Sequence, residues 1–212
     1  MSAHGYFITL EGGEGAGKST QVKLLVAALT HAGIVAKATR EPGGSPGAEA
    51  IRQLLIEGET ERWDAVGEAL LLYAARREHI ANLIRPAVAE SHWVVCDRFN
   101  DSTIAYQGYG RGLPLDQLAA LQRFAIGDFT PDLTLILDLP VEEGFARAAL
   151  RPRRADRFER LDRSFHERLR AGFQAIAAAE SQRCVVIPAS GPVEEVHRAI
   201  VATLVQRFGV KL

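Results

Sequence analysis

The stretch Gly12-Gly13-Glu14-Gly15-Ala16-Gly17-Lys18-Ser19-Thr20 follows the apolar run Tyr6–Leu10 (YFITL) and opens into STQVKLLVAAL, a helical pattern. Gly12-x4-Gly17-Lys18-Ser19 has the spacing of a phosphate-cradling loop, and strand before and helix after are the context that mechanism needs. Glycines let successive backbone N–H groups turn onto oxyanions, and the helix N-terminus adds positive potential. On this reading Lys18 reaches the β- and γ-phosphates of a nucleoside triphosphate and Ser19 ligates Mg²⁺. Glu14, between two glycines, is either a surface carboxylate at a loop tip or an acid facing the reacting phosphates.

Outward from this loop, short apolar runs alternate with helical periods. The pattern predicts strands at Tyr6–Leu10, Ile34–Thr39, Trp93–Asp97, Leu133–Asp138 and Cys184–Ile187. It predicts helices at Lys18–Ala32, Pro46–Ile56, Asp64–Glu90, Leu115–Ile126, Val141–Leu150, Phe158–Ala179 and Val193–Phe208. Five such strands separated by helices imply an α/β fold in three layers, a parallel sheet flanked by helices, in one domain over residues 1–212. Ligands of such sheets bind at the carboxyl ends of the strands. The Pro- and Gly-rich pieces REPGGSPG and YQGYGRGLP fall where strand-end loops belong.

Composition narrows the classes. Lys and Arg number 25 against 26 Asp and Glu, which gives no bulk electrostatic case for nucleic acid or an anionic membrane. No apolar run is long enough to span a bilayer and no secretory leader is visible, so the expected location is the cytoplasm. Cys96 and Cys184 sit inside apolar runs and read as buried thiols. Between Arg147 and Arg170 nine Arg face four acids, either a solvated helix face or a local anion site.

An acceptor side is also visible. Asp97 ends a strand and is followed by Arg98, whose planar fork suits phosphate. An apolar run closed by an acid can hold Mg²⁺ or its waters; Asp138 repeats the arrangement, and Asp97 is favoured because Arg98 stands beside it. In LLLYAARREH, Leu72 or Tyr73 shares a helix face with Arg76, a pairing that suits a planar base or a core residue beside a solvated Arg.

The chain resembles the thymidylate kinases, which make dTDP from dTMP and ATP. The pieces that carry the likeness are FITLEGGEGAGKST, TREPGG, LLLYAARREH, DRFNDSTIAYQGYGRGL, GDFTPDLTLILDLP and DRFE, in family order from residue 7 to about residue 159. The resemblance implies a P-loop NTPase fold with ATP and Mg²⁺ on the loop. It places Glu41 and Pro42 on the wall of a thymine pocket and Arg52 on the 5′-phosphate. Arg76 would meet the base edge and Arg98 the acceptor phosphate. Thr103 and Gln107, with Ser102 beside them, would hydrogen-bond the pyrimidine, and Tyr106 would pack on the sugar.

Relatives often carry a stacking Phe where this chain has Leu72, so either Tyr73 supplies the ring or the base rests on an aliphatic wall. Some relatives carry an Arg inside the phosphate loop; this loop has none. The substitute expected is a short mobile lid, about residues 148–158, with Arg153 as the catalytic arginine and Arg151 and Arg154 close behind. The apolar face of the Asp64–Glu90 helix exceeds the needs of one pocket, and similar enzymes pair through such helices, so a homodimer is expected. The rival readings are a kinase for another nucleotide or a deoxynucleoside, and a non-enzymatic nucleotide-dependent switch or ATPase module.

Overall fold

The computed structural model describes residues 4–150, 157–158 and 160–212. Five strands, β1 (Phe7–Glu11), β2 (Ala36–Arg40), β3 (Trp93–Asp97), β4 (Leu133–Asp138) and β5 (Cys184–Pro188), form one parallel sheet in the order β2-β3-β1-β4-β5. β1 is central and buried along its length, as a strand covered by helices on both faces must be. β2 forms one edge and is the more polar strand, with Lys37 and Arg40 exposed.

The flanking helices are α1 (Lys18–His31), α2 (Pro46–Ile56), α3 (Ala65–His79), α4 (Arg85–Ala89), α5 (Asn100–Thr103), α6 (Leu115–Ile126), α7 (Val141–Ala149), α8 (Arg163–Ala179) and α9 (Val193–Phe208). α1 and α9 bury Val22, Leu25, Ile200 and Leu204 on one face of the sheet. α3 and α6 cover the other with Tyr73, Leu118 and Ile126, and α8 adds Phe165, Leu169 and Phe173. The fold class expected from the alternating pattern is the one observed.

Several boundaries differ from the expectations, among them β2, which runs over Ala36–Arg40 and not Ile34–Thr39, and three differences have a plain physical reason. β1 runs one residue further, to Glu11, a fully buried carboxylate that an apolar-run reading stops short of. The helix expected from Phe158 starts at Arg163, where Asp162 caps it by accepting the Phe165 N–H at 2.7 Å. The piece YQGYG, expected in a loop, is helical. α5 runs into a wide π turn at Ile104–Gly110, as α3 runs into another at Ile80–Ile84 before α4. Such turns insert a residue into the helical register and are frequent beside functional sites.

Candidate active site

The phosphate loop leaves β1 at Gly12, whose φ of 130° is open to glycine and closed to most other residues. A Cβ at Gly15 would stand 2.2 Å from the Gly144 carbonyl of α7, so the loop is seated directly on that helix. Gly17, also left-handed, turns the chain into α1. Lys18 is buried and donates to the carbonyls of Gly12 at 3.0 Å and Gly13 at 2.7 Å. Burial, then the nearby Arg98 charge, lowers its pKa to about 8 despite Glu14, Asp97 and Glu11.

Arg98 joins this loop to the facing helix. Its backbone is left-handed (φ 70°), a conformation rare outside glycine. Its guanidinium donates to the Gly12 carbonyl at 3.0 Å, to Ser102 Oγ at 3.3 Å and to Glu14 Oε1 at 2.6 Å, and lies 5.0 Å over the Tyr106 ring. Tyr106 also donates its hydroxyl to Glu14 Oε1, at 2.9 Å. Glu14 is thus no solvated loop tip; its side chain is 12 % exposed and holds Arg98 and Tyr106 against the loop.

One cleft collects these groups. Glu14, Lys18, Ser19, Asp97, Arg98 and Tyr106 line its loop end. Glu41, Pro42, Arg52, Leu72, Arg76, Ser102, Thr103 and Gln107 line the rest. Phe158, Phe99, Ile56 and Arg40 also line it and were not singled out in the sequence; the first two and Arg40 stand inside quoted motifs beside charged residues that drew the reading, and Ile56 ends a helix as an ordinary apolar residue. Arg151, Arg153 and Arg154 lie outside the described residues.

The far end of the cleft is a rigid hydrogen-bonded frame. Arg76, 1 % exposed, donates Nε to Glu41 Oε2 at 2.7 Å, Nη1 to Asn100 Oδ1 at 3.2 Å, and Nη2 to Thr103 Oγ1 at 2.9 Å and the Phe99 carbonyl at 3.0 Å. Among the described residues these bonds use four of its five N–H donors and leave one on Nη1. His79 holds the other Glu41 oxygen at 3.1 Å. Arg52 donates to the Pro42 carbonyl at 2.7 Å, which fixes the turn after β2 to α2.

Of the two candidates for the base wall, Leu72 lines the cleft and Tyr73 does not. Tyr73 is 1 % exposed, part of the core behind that wall, with its hydroxyl on Asn100 Oδ1 at 2.9 Å and its ring under Arg76 at 4.9 Å. The two strand-end acids separate as well. Asp138 is held at 2.7 and 2.8 Å by both arms of Arg170, which pulls its carboxyl below the usual range. Asp97 faces the cleft.

Under the loop, Glu11 accepts the Phe99 N–H at 2.7 Å and the Ser102 hydroxyl at 2.5 Å. It thereby fixes the chain on either side of Asn100. Burial, then the Asp101 charge, pushes its pKa up to about 7, against the bonds from Ser102 and Phe99 and the Arg98 charge. Asp101 is itself gripped by Arg183 at 2.8 Å through two nitrogens.

A parallel sheet with a glycine-rich loop on its central strand, a lysine under that loop and the Arg98 guanidinium against it define a P-loop nucleotide-dependent phosphotransferase. The thymidylate kinase family model matches residues 10–200, and the chain belongs to that family. It is 54% identical over 206 residues to the thymidylate kinase of Caulobacter vibrioides, covering 97% of this chain and 99% of that one. To the thymidylate kinase of Pseudomonas putida strain W619 it is 51% identical over 198 residues, with 93% and 95% covered. The crystal structure of thymidylate kinase from Ehrlichia chaffeensis superposes with a TM-score of 0.74 at 35% identity, covering 95% of this chain and 99% of that one.

Two outcomes test this geometry. Leu72→Ala should raise the KM for dTMP several-fold with little loss of stability. Tyr73→Ala should instead cost about 3–5 kcal/mol in urea unfolding. The reverse pattern would put the Tyr73 ring on the ligand. The raised Glu11 value favours the folded state most where the carboxyl is protonated. That contribution is complete below the unfolded value of 4.5 and is lost as pH rises to about 7. Urea unfolding at pH 5 and 7.5 should show wild type losing more stability than Glu11→Gln over this interval; equal losses would contradict the buried protonated carboxyl.

Proposed function

We infer that the chain transfers the γ-phosphoryl group of ATP to the 5′-phosphate of dTMP, giving dTDP and ADP. The observation that carries this is the shared cleft. Lys18 and Ser19 of the phosphate loop open onto the same space as Arg52, Arg98 and the Arg76–Thr103–Gln107 end. Arg98 beside the loop and Arg52 in the same cleft suit an acceptor that already bears a phosphate, and a deoxynucleoside would leave that charge without a counterpart.

Phosphoryl transfer is mostly alignment and neutralisation of spreading charge. Lys18 covers the donor phosphates. Arg98, held against the loop by Glu14, and Arg52 orient the acceptor phosphate. Its attacking oxygen is already anionic near neutral pH, so no general base is needed. The Ser19 hydroxyl and Asp97 carboxylate are hard oxygen donors that fit Mg²⁺, and they would hold it directly or through water. When bound, the ion supplies neutralisation of phosphate charge. The pyrimidine end reads the base with Arg76, Thr103 and Gln107, and Leu72 and Pro42 form its apolar walls. The loop brings no arginine of its own, so the last positive charge is assigned to Arg153, with Arg151 and Arg154 as its neighbours.

The protein is proposed to act as a homodimer in the cytoplasm. Val66 and Leu70 on α3 and Phe124 on α6 are exposed, Phe124 at 89 %, on helices that pack together. Among the described residues no helix is long and apolar enough to cross a membrane, and both cysteines are buried free thiols. Sedimentation should give a species near twice 23.1 kDa at micromolar concentration; a clean monomer would remove the dimer.

A coupled assay with ATP and dTMP, dUMP, dCMP, dGMP or dAMP tests the function, with dTMP giving the highest kcat/KM. ATP hydrolysis that no acceptor stimulates would contradict it. In the same assay Arg153→Ala should lose about a hundredfold or more in kcat with the dTMP KM nearly unchanged. A wild-type kcat would move the role to Arg151 or Arg154.

A further inference from the structure

Outside the phosphate end, a buried charge cluster centres on Glu68 of α3. Its side chain is fully buried, yet it accepts from Arg111 at 2.9 Å and pairs with Arg157 at 2.7 Å, both on Oε1. Its other oxygen, Oε2, accepts the Gln107 side-chain Nε2 at 2.9 Å. Arg157 is itself 0 % exposed and donates to the carbonyls of Leu55 at 3.1 Å and Thr60 at 2.9 Å. Two guanidiniums meet one Glu68 oxygen, an ion-pair arrangement in which a carboxylate only accepts.

The consequence falls on Gln107. A side-chain amide has one end that donates and one that accepts, and only the NH₂ end can face a carboxylate oxygen. Its Oε1 is therefore turned away from Glu68. That oxygen is buried and has no hydrogen-bond partner among the described residues, while Gln107 lines the cleft. A buried, unpartnered acceptor is costly, and a ligand that donates to it relieves the cost.

We propose that Glu68 is a positioning residue for base selection: it locks the Gln107 amide so that its oxygen accepts the N3–H of a thymine or uracil ring. Cytosine presents an acceptor at N3 and meets oxygen against lone pair. The selection is thus set one residue behind the cleft, by a carboxylate that also holds Arg157 at the root of the Arg-rich segment. The proposal rests on the reading of this end as the pyrimidine subsite.

The experiment is the ratio of kcat/KM for dTMP to that for dCMP in four proteins: wild type, Gln107→Ala, Glu68→Gln and the double variant. Glutamine at 68 can donate or accept, so the Gln107 amide is free to rotate. The ratio should fall about tenfold or more in Glu68→Gln, with no further fall when it is added to Gln107→Ala. A purely structural Glu68 would change both substrates alike and keep the ratio. An unchanged ratio in Gln107→Ala overturns the subsite reading and the proposal with it. A lowered ratio in Gln107→Ala with a wild-type ratio in Glu68→Gln overturns the positioning role alone. Should Glu68→Gln fail to fold, ¹⁵N-labelled wild type decides. The Gln107 NH₂ protons should be protected from solvent exchange with and without dTMP, and protection that appears only on adding dTMP overturns the lock.

Discussion

The contact on which the site depends is the pair of Arg98 with Glu14. A loop rich in glycine has little to hold its shape, and here a carboxylate within the loop is fastened at 2.6 Å to a guanidinium from the neighbouring strand end. The same guanidinium reaches the Gly12 carbonyl and Ser102. Donor loop, β3 and the α5 helix are therefore set relative to one another by one side chain, and its left-handed backbone is the strain that this geometry costs. The proposed acceptor-phosphate ligand is thus pre-aligned by the donor loop itself, which is what transfer between two phosphates requires.

Behind the cleft the same device recurs with other partners. Glu41 sits between Arg76 and His79, Glu68 between Arg157 and Arg111, and Asp101 against Arg183. Each carboxylate is nearly or fully buried, and each joins elements distant in sequence. Buried ion pairs of this kind contribute little net stability against an apolar core of equal volume, but breaking one leaves a charge stranded. Their effect is on geometry: they hold Arg76, Thr103 and Gln107 in fixed orientations round a polar cavity that apolar packing alone would leave free to rearrange.

Much of this was legible in the sequence. The glycine spacing, the strand before it and the helix after it define the loop, and the alternating apolar runs define the parallel sheet. The motif residues Glu41, Arg52, Arg76, Arg98, Thr103, Tyr106 and Gln107 do come together in one cleft. What stayed hidden is mainly the polar interior. Glu11 ends a strand whose apolar run points to Leu10, and Glu68 sits in an otherwise ordinary amphipathic helix; neither is marked until its partners are known. Arg157 belongs to a run that reads as either a solvated face or an anion site, yet it is fully buried against a counter-charge 89 residues earlier in the chain. Leu72 and Tyr73 are adjacent, and only the rotation of α3 decides which meets the cleft. The π turn over Ile104–Gly110 was hidden by two glycines that read as loop.

In the proposed reaction a planar guanidinium at position 98, locked to the donor loop, aligns the acceptor phosphate. Arg98→Lys keeps the charge and removes the fork, so its kinetics isolate the alignment from the charge. Steady-state rates with ATP and dTMP, together with the ATP dissociation constant, should show kcat/KM for dTMP lower by about a hundredfold or more while ATP affinity changes only a few-fold. Turnover of dTMP within a few-fold of wild type would contradict it.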